Sequence, residues 1–139
     1  MEIIANAVQT VLANQNVYFT ETAVSGGCST LHREGSGLVT LRGNTQQARA
    51  RYKITFGGNI AIPTGGTVEA ISMAIALEGE AIQSSTMIST PAAVEEYQNI
   101  FGAIFVDVPR GCCMTVSVKN TSTQSVEIQN ANLIVERVA

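Results

Sequence analysis

Charge is what this chain has least of: only 14% of its 139 residues are Asp, Glu, Lys or Arg. An ordinary soluble domain carries about a quarter. A monomer with so few charges has little to coat its surface with, so Ser, Thr, Asn and Gln must do part of that work. Subunit burial is expected to do the rest. The net charge of −3 counts against a nucleic-acid groove, which needs clustered Lys and Arg to displace counterions. The densest basic group, Arg49, Arg51 and Lys53, has the alternate spacing of one solvated strand face. Aromatics number seven, with no Trp, so the core must be built mainly from Ile, Val, Leu and Ala.

Other scarcities narrow the chemistry. Asp107 is the only aspartate and His32 the only histidine. With Cys28 four residues earlier, His32 supplies two metal ligands where structural zinc wants about four. A Cys28–His32 nucleophile pair lacks a third group to orient the base. The glycine pairs at 26–27, 57–58 and 65–66 do not fit a phosphate-loop pattern. Glu95 and Glu96 are neighbours in sequence only, with no cleft implied. No catalytic, cofactor or metal site is therefore assigned. Three cysteines (Cys28, Cys112 and Cys113) leave one unpaired, which argues against a disulfide framework. Alternation places Cys112 with Met114, Val116 and Val118 as a buried residue, and Cys113 as the more exposed thiol. A Cys28–Cys113 bond is left open. The opening MEIIANAVQTVLANQ lacks the basic start of a secretion signal. No run approaches the roughly 20 apolar residues of a membrane span, so no membrane partner is expected.

What the chain does have is strand pattern. In Ala50–Gly79, ARYKITFGGNIAIPTGGTVEAISMAIALEG, the first strand alternates Ala50, Tyr52, Ile54 and Phe56 against Arg51, Lys53 and Thr55. The second sets Ile71, Met73, Ile75 and Leu77 against Ala70, Ser72, Ala74 and Ala76. Its first face is expected to fill the core, and its small second face to meet another sheet or subunit. Further strands are expected at 17–20, 38–42, 81–89, 100–108, 112–119 and 126–138. Corners fall at Gly43-Asn44, Gly57-Gly58-Asn59, Pro63–Gly66, Glu78–Glu80, Pro109–Gly111 and Asn120–Ser122. Eight strands without intervening helices mean an all-β sandwich or barrel. Residues 3–15 can be written either as a short helix or as an extended arm, and 91–99 as a helical turn or a loop.

FGGNIAIPTGGTVEAISMAIALEGEAI resembles the central part of the tumour-necrosis-factor and C1q jelly rolls, where a corner leads into a long strand and a short turn. VDVPRGCCMTVSVKNTS and QNANLIVERV resemble the closing pair, and the likeness spans residues 35–139. Composition and the short N-terminal lead look more similar to trimeric head-decoration and head-fibre proteins of tailed bacteriophages. The resemblance implies an eight-stranded jelly-roll sandwich over 16–139, packed as a homotrimer around a threefold axis. The bottom-up pattern is compatible, because small residues on Ala70, Ser72, Ala74 and Ala76 allow close approach of a second layer. Residues 1–15 are either the first strand or an arm, with Ile3, Ile4, Val8, Val11 and Leu12 as the docking positions.

The function expected on these grounds is a non-enzymatic virion protein, made in a host cytoplasm, that attaches to a major capsid protein or another virion protein. The alternative is a receptor- or glycan-binding trimer of the fibre-tip or spore-surface type. Its working loops would be 21–37 and 90–100, with His32 and Tyr97 as test positions.

Overall fold

In a computed structural model, which describes residues 1–139, the chain forms two antiparallel sheets. The first sheet has the order β10 (Gln98–Pro109), β6 (Arg49–Ala61), β12 (Val126–Arg137), β1 (Glu2–Ala5), β3 (Glu21–Val24), and β2 (Gln9–Val11) also pairs with β12. The second runs β4 (Thr30–His32), β5 (Val39–Arg42), β11 (Cys113–Asn120), β7 (Ile71–Leu77), β8 (Glu80–Ala81), and β9 (Met87–Ser89) also pairs with β7. Twelve segments replace the eight strands expected, because one is lost, one splits in two, and β1, β2, β3 and β4 fall outside all of them. The segment expected at 81–89 splits into β8, a 3₁₀ turn at Gln83–Ser85, and β9. Residues 17–20 run extended outside any strand, yet Val17 and Phe19 are fully buried.

Alternation builds the core. Ala50, Tyr52, Ile54 and Phe56 of β6 point inward, and so do Ile71, Met73 and Ile75 of β7. Leu77, expected with them, is only partly buried at the strand's end. Twenty-seven buried side chains join in one cluster, so a single core serves both sheets. Its aromatics are few but placed: Phe19 and Phe56 meet edge to face at 6.4 Å. The Tyr52 hydroxyl reaches the carbonyls of Ser29 and Arg42. Asn120, fully buried, donates to the carbonyls of Val11 and Gln124 at 2.9 Å each, and accepts from the Ser122 amide. Those bonds tie the N-terminal segment to the 120–124 turn and satisfy the buried Asn120 amide.

The corner expected at Gly57-Gly58-Asn59 is instead continuous strand. β6 pairs on both sides through it, with Ile100 opposite Gly58 and Gln129 opposite Asn59. Gly58 serves a bulge in the partner strand. Between Gln129 and Asn132 the register of β12 shifts by one residue, and Asn130 takes φ 54°. A Cβ on Gly58 would sit 3.2 Å from Ile128 Cδ1, so the gap a side chain would fill is already taken. The extra residue reverses the alternation: Val126 and Ile128 face inward before it, and Ala131, Leu133 and Val135 after it.

The N-terminal residues are sheet, not helix. β1 lies between β12 and β3. Ile3 and Val11 are core residues, which corrects their assignment as docking positions: exposing them would open the sandwich. Ile4 is half-buried, and only Val8 and Leu12 stand exposed.

Candidate functional site

The two sheets turn very different outer faces to solvent. On the second, the small residues expected to face another layer are mostly closed within the chain. Ala74 and Ala76 are completely buried. Ala76 sits between Ser117 on β11 and Ala81 on β8, and Ala74 lies opposite Lys119. The Lys119 ammonium donates to the Gly79 carbonyl at 3.2 Å, so its alkyl stem runs from the Ala74 row past Ala76 toward the β7–β8 turn. Ser72 is half-buried and bonded to Ser122 and Thr121. Ala70 precedes β7 in the loop and is exposed, which removes it from the packing face.

The first sheet leaves large apolar groups open. Phe101 and Phe105 of β10 are 67% and 64% exposed, and Ile134 of β12 is 38% exposed. Phe101 stands opposite Gly57, Ala103 opposite Thr55, and Thr55 opposite Ile134 on its other side. Across β10, β6 and β12 those rows carry no charge; on β1 the second row ends at Glu2, opposite Ile134, whose carboxylate accepts from Asn132. The next row holds Phe105, Lys53 and Glu136, and beyond it Asp107 faces Arg51. Asp107 accepts from Arg51 Nε at 2.8 Å and lies 3.2 Å from Arg49 Nε. The Arg51 hydrogen bond holds this carboxyl below its usual range and raises the guanidinium in turn. The sequence carried this signal: NIFGAIFVDV alternates Ile100, Ile104, Val106 against Phe101, Ala103, Phe105, so both faces of one strand are apolar.

The other candidate positions separate. His32 has both ring nitrogens engaged, Nδ1 with Thr22 Oγ1 and Nε2 with the Ser36 carbonyl, each at 3.0 Å. That arrangement pins the 30–36 loop. Tyr97 donates to Glu127 at 2.8 Å, and burial together with that carboxylate pushes its phenol up to about 12. All three cysteines are free and exposed. This corrects the buried position expected for Cys112, which lies in the turn before β11 begins at Cys113. No group of three or more His, Cys, Asp or Glu is placed to hold a metal ion. An apolar groove of about 280 Å³ lies between Ala5, Ala7, Val8 and Tyr18. Val8 and Tyr18 are both more than half exposed there.

Solved structures place this architecture. The tumour-necrosis factor Eiger from S. frugiperda superposes with a TM-score of 0.70 at 12% identity, over 100% of this chain and 92% of that one. The globular domain of zebrafish complement 1qA gives 0.62 at 9% identity, covering 96% and 93%. The fold is the C1q/TNF jelly roll. Murine APRIL, at 11% identity, matches the same jelly roll with a TM-score of 0.60 over 97% of this chain and 95% of its own. No family model and no curated protein matches the sequence.

Proposed function

We propose that this chain is a homotrimeric structural module of the jelly-roll kind, assembled through the outer face of its first sheet. The observation that carries this is the uncharged strip of Phe101, Ala103, Thr55, Gly57 and Ile134, with Phe105 at its edge. Exposed apolar patches of this sort mark interaction surfaces. Aromatic residues are enriched at the centres of such interfaces. The likeness to C1q and TNF domains supports a trimer, since jelly rolls of that kind form trimers. Sedimentation velocity tests it: the parent chain runs as a trimer, and Phe101→Asp with Phe105→Asp runs as a folded monomer. A monomeric parent, or a variant that stays trimeric, overturns the reading.

The role we propose for the trimer is to decorate or extend a virion head, docking on a capsid or other virion protein. Its support is the low charge, the composition and short N-terminal lead, and the apolar Val8–Tyr18 groove left outside the first-sheet strip. Since Ile3 and Val11 belong to the core, the informative variants are Val8→Asp and Leu12→Asp rather than a deletion. Capsid binding lost with the trimer retained supports this role. Unchanged binding by both variants removes it.

A further inference from the structure

Charge on this molecule is segregated along the strand axis. β6 spans thirteen residues from Arg49 to Ala61, roughly 40 Å end to end at about 3.3 Å per residue. At the Arg49 end lie Arg42, Arg49, Arg51, Lys53, Arg110 and Arg137, against three side-chain carboxylates. Asp107 is already held by Arg49 and Arg51, Glu136 lies opposite Lys53, and Glu78 accepts from the Thr115 amide. The other arginines spend their hydrogen bonds on neutral groups or none. Arg42 Nη1 donates to the Cys28 carbonyl at 3.1 Å. Arg137 Nη1 donates to Ser29 Oγ at 2.8 Å and Asn44 Oδ1 at 2.7 Å. Arg110 is exposed in the turn after β10.

The opposite end has the reverse sign. Glu69, Glu95, Glu96 and Glu127 lie there, and residues 57–72, 82–106 and 120–131 contain no Lys or Arg. Their partners are also neutral: Thr123 and Gln124 for Glu69, Thr64 for Glu95, Tyr97 for Glu127. The Arg49 end thus carries an excess of three positive charges, six cations less three carboxylates, and the far end four negative charges from its glutamates. The two lie several Debye lengths apart at physiological salt, where that length is about 8 Å. Within one chain they cannot neutralise each other.

We propose that copies of this chain stack end to end, the basic end of one docking on the acidic end of the next. These opposite excesses at the two ends make a second copy the complementary partner. A head-to-tail contact of this kind does not close and extends as a linear stack. Exposed ion pairs are individually weak and screened by salt, so the stack forms at low ionic strength and high concentration.

The cysteines provide a native footprint. Cys113 pairs with Arg42, the Cys112 carbonyl accepts from the Gly43 amide, and the Cys28 carbonyl accepts from Arg42. All three thiols therefore mark the basic end. Light scattering and iodoacetamide alkylation are compared at ~0.01 M and ~1 M salt, where the Debye length is about 30 Å and 3 Å. At low salt the mass should rise with concentration in steps of the high-salt species, and alkylation should slow severalfold. Glu69→Gln with Glu96→Gln changes nothing at the thiols but removes two charges from the far end. It should weaken stacking about tenfold and restore rapid alkylation. Arg110→Glu should not stack alone, and mixing it with Glu96→Arg should recover association.

Equal masses at both salts overturn the proposal, as does slow alkylation that persists in the glutamate variant. Salt-sensitive binding to heparin or anionic vesicles without any self-association also overturns it, by assigning the basic end to another partner. The mass at high salt reports separately on the trimer, so the two readings fail independently.

Discussion

The outer faces of the two sheets solve the same problem with opposite residues. On the second sheet, β7 and β11 present Ala74, Ala76 and Ser117, side chains small enough for neighbouring strands and the Lys119 stem to close over. On the first, β10 and β12 present Phe101, Phe105 and Ile134, too large to be covered by anything the chain itself supplies. Small residues on a strand face therefore need not signal an intermolecular contact. In this molecule they mark rows already closed within one subunit, while Ile88 opposite Ser72 and Leu31 opposite Thr40 stay exposed on the same sheet. The contiguous apolar run left over lies on the first sheet, in Phe101, Phe105 and Ile134.

Placing charge on the closed face should have the largest effect. Ala74→Arg forces a long cation into a position with no exposed surface. A buried charge without a partner costs about 3–5 kcal/mol, a large fraction of the stability of a domain this size. The expected outcome is insoluble or unfolded protein by circular dichroism. A soluble variant with the parental unfolding midpoint would mean that the Ala face opens to water.

The same change on the open face should leave the fold alone. Phe101→Asp and Phe105→Asp alter exposed positions, where stability shifts are usually within about 0.5 kcal/mol. Their effect should appear in sedimentation as loss of assembly, with a folded monomer by circular dichroism and a melting temperature that no longer depends on protein concentration. If both faces proved equally sensitive in thermal unfolding, the distinction between them would collapse.

A subtler test returns to the closed face. Ser117 Oγ is buried there without a hydrogen-bond partner. An unsatisfied buried hydroxyl carries its desolvation cost with nothing to offset it. Ser117→Ala should therefore be neutral or stabilise the chain by up to about 1 kcal/mol in a denaturant titration. Destabilisation beyond that would show that Ser117 has a partner in the assembled protein.

Much of this contrast was legible in the sequence, and its limits have physical reasons. Period-two alternation located β5, β6, β10, β11 and β12 and gave the inward set on β7. It could not show that β6 continues through Gly57-Gly58, because glycine signals a corner and a close approach equally well. The reason for Gly58 lies in Ile128 and Ala131, seventy residues away. The bulge at Asn130 was hidden likewise, since one inserted residue reverses the pattern without leaving a local mark. The strip on the first sheet was readable in NIFGAIFVDV as a strand apolar on both sides. Choosing between the Ala face and the Phe face needed cross-strand partners. Lys119 covers Ala76 only because the β7–β8 turn brings the Gly79 carbonyl within reach.

The smallest effect lies at the margin of the open face, where Asp107 sits between Arg49 and Arg51. The hydrogen bond from Arg51 favours the ionised carboxylate, so the group titrates below the ordinary aspartate value of about 3.9. A depressed folded value means that the pair supports the fold above the unfolded value and loses that support as pH falls through the folded one. The side chains are exposed, with 42% of Arg51 and 38% of Asp107 accessible, so solvent and salt screen most of the attraction. Proton-detected titration of the Asp107 carboxyl should give a midpoint below 3.9 at low salt. Arg51→Ala should move it upward while leaving sedimentation at high salt unchanged, because this ion pair borders the apolar strip and is not part of it. A midpoint indifferent to Arg51→Ala would separate the two side chains in solution. A change in assembly would instead extend the contact face past Phe105 to include the charged row.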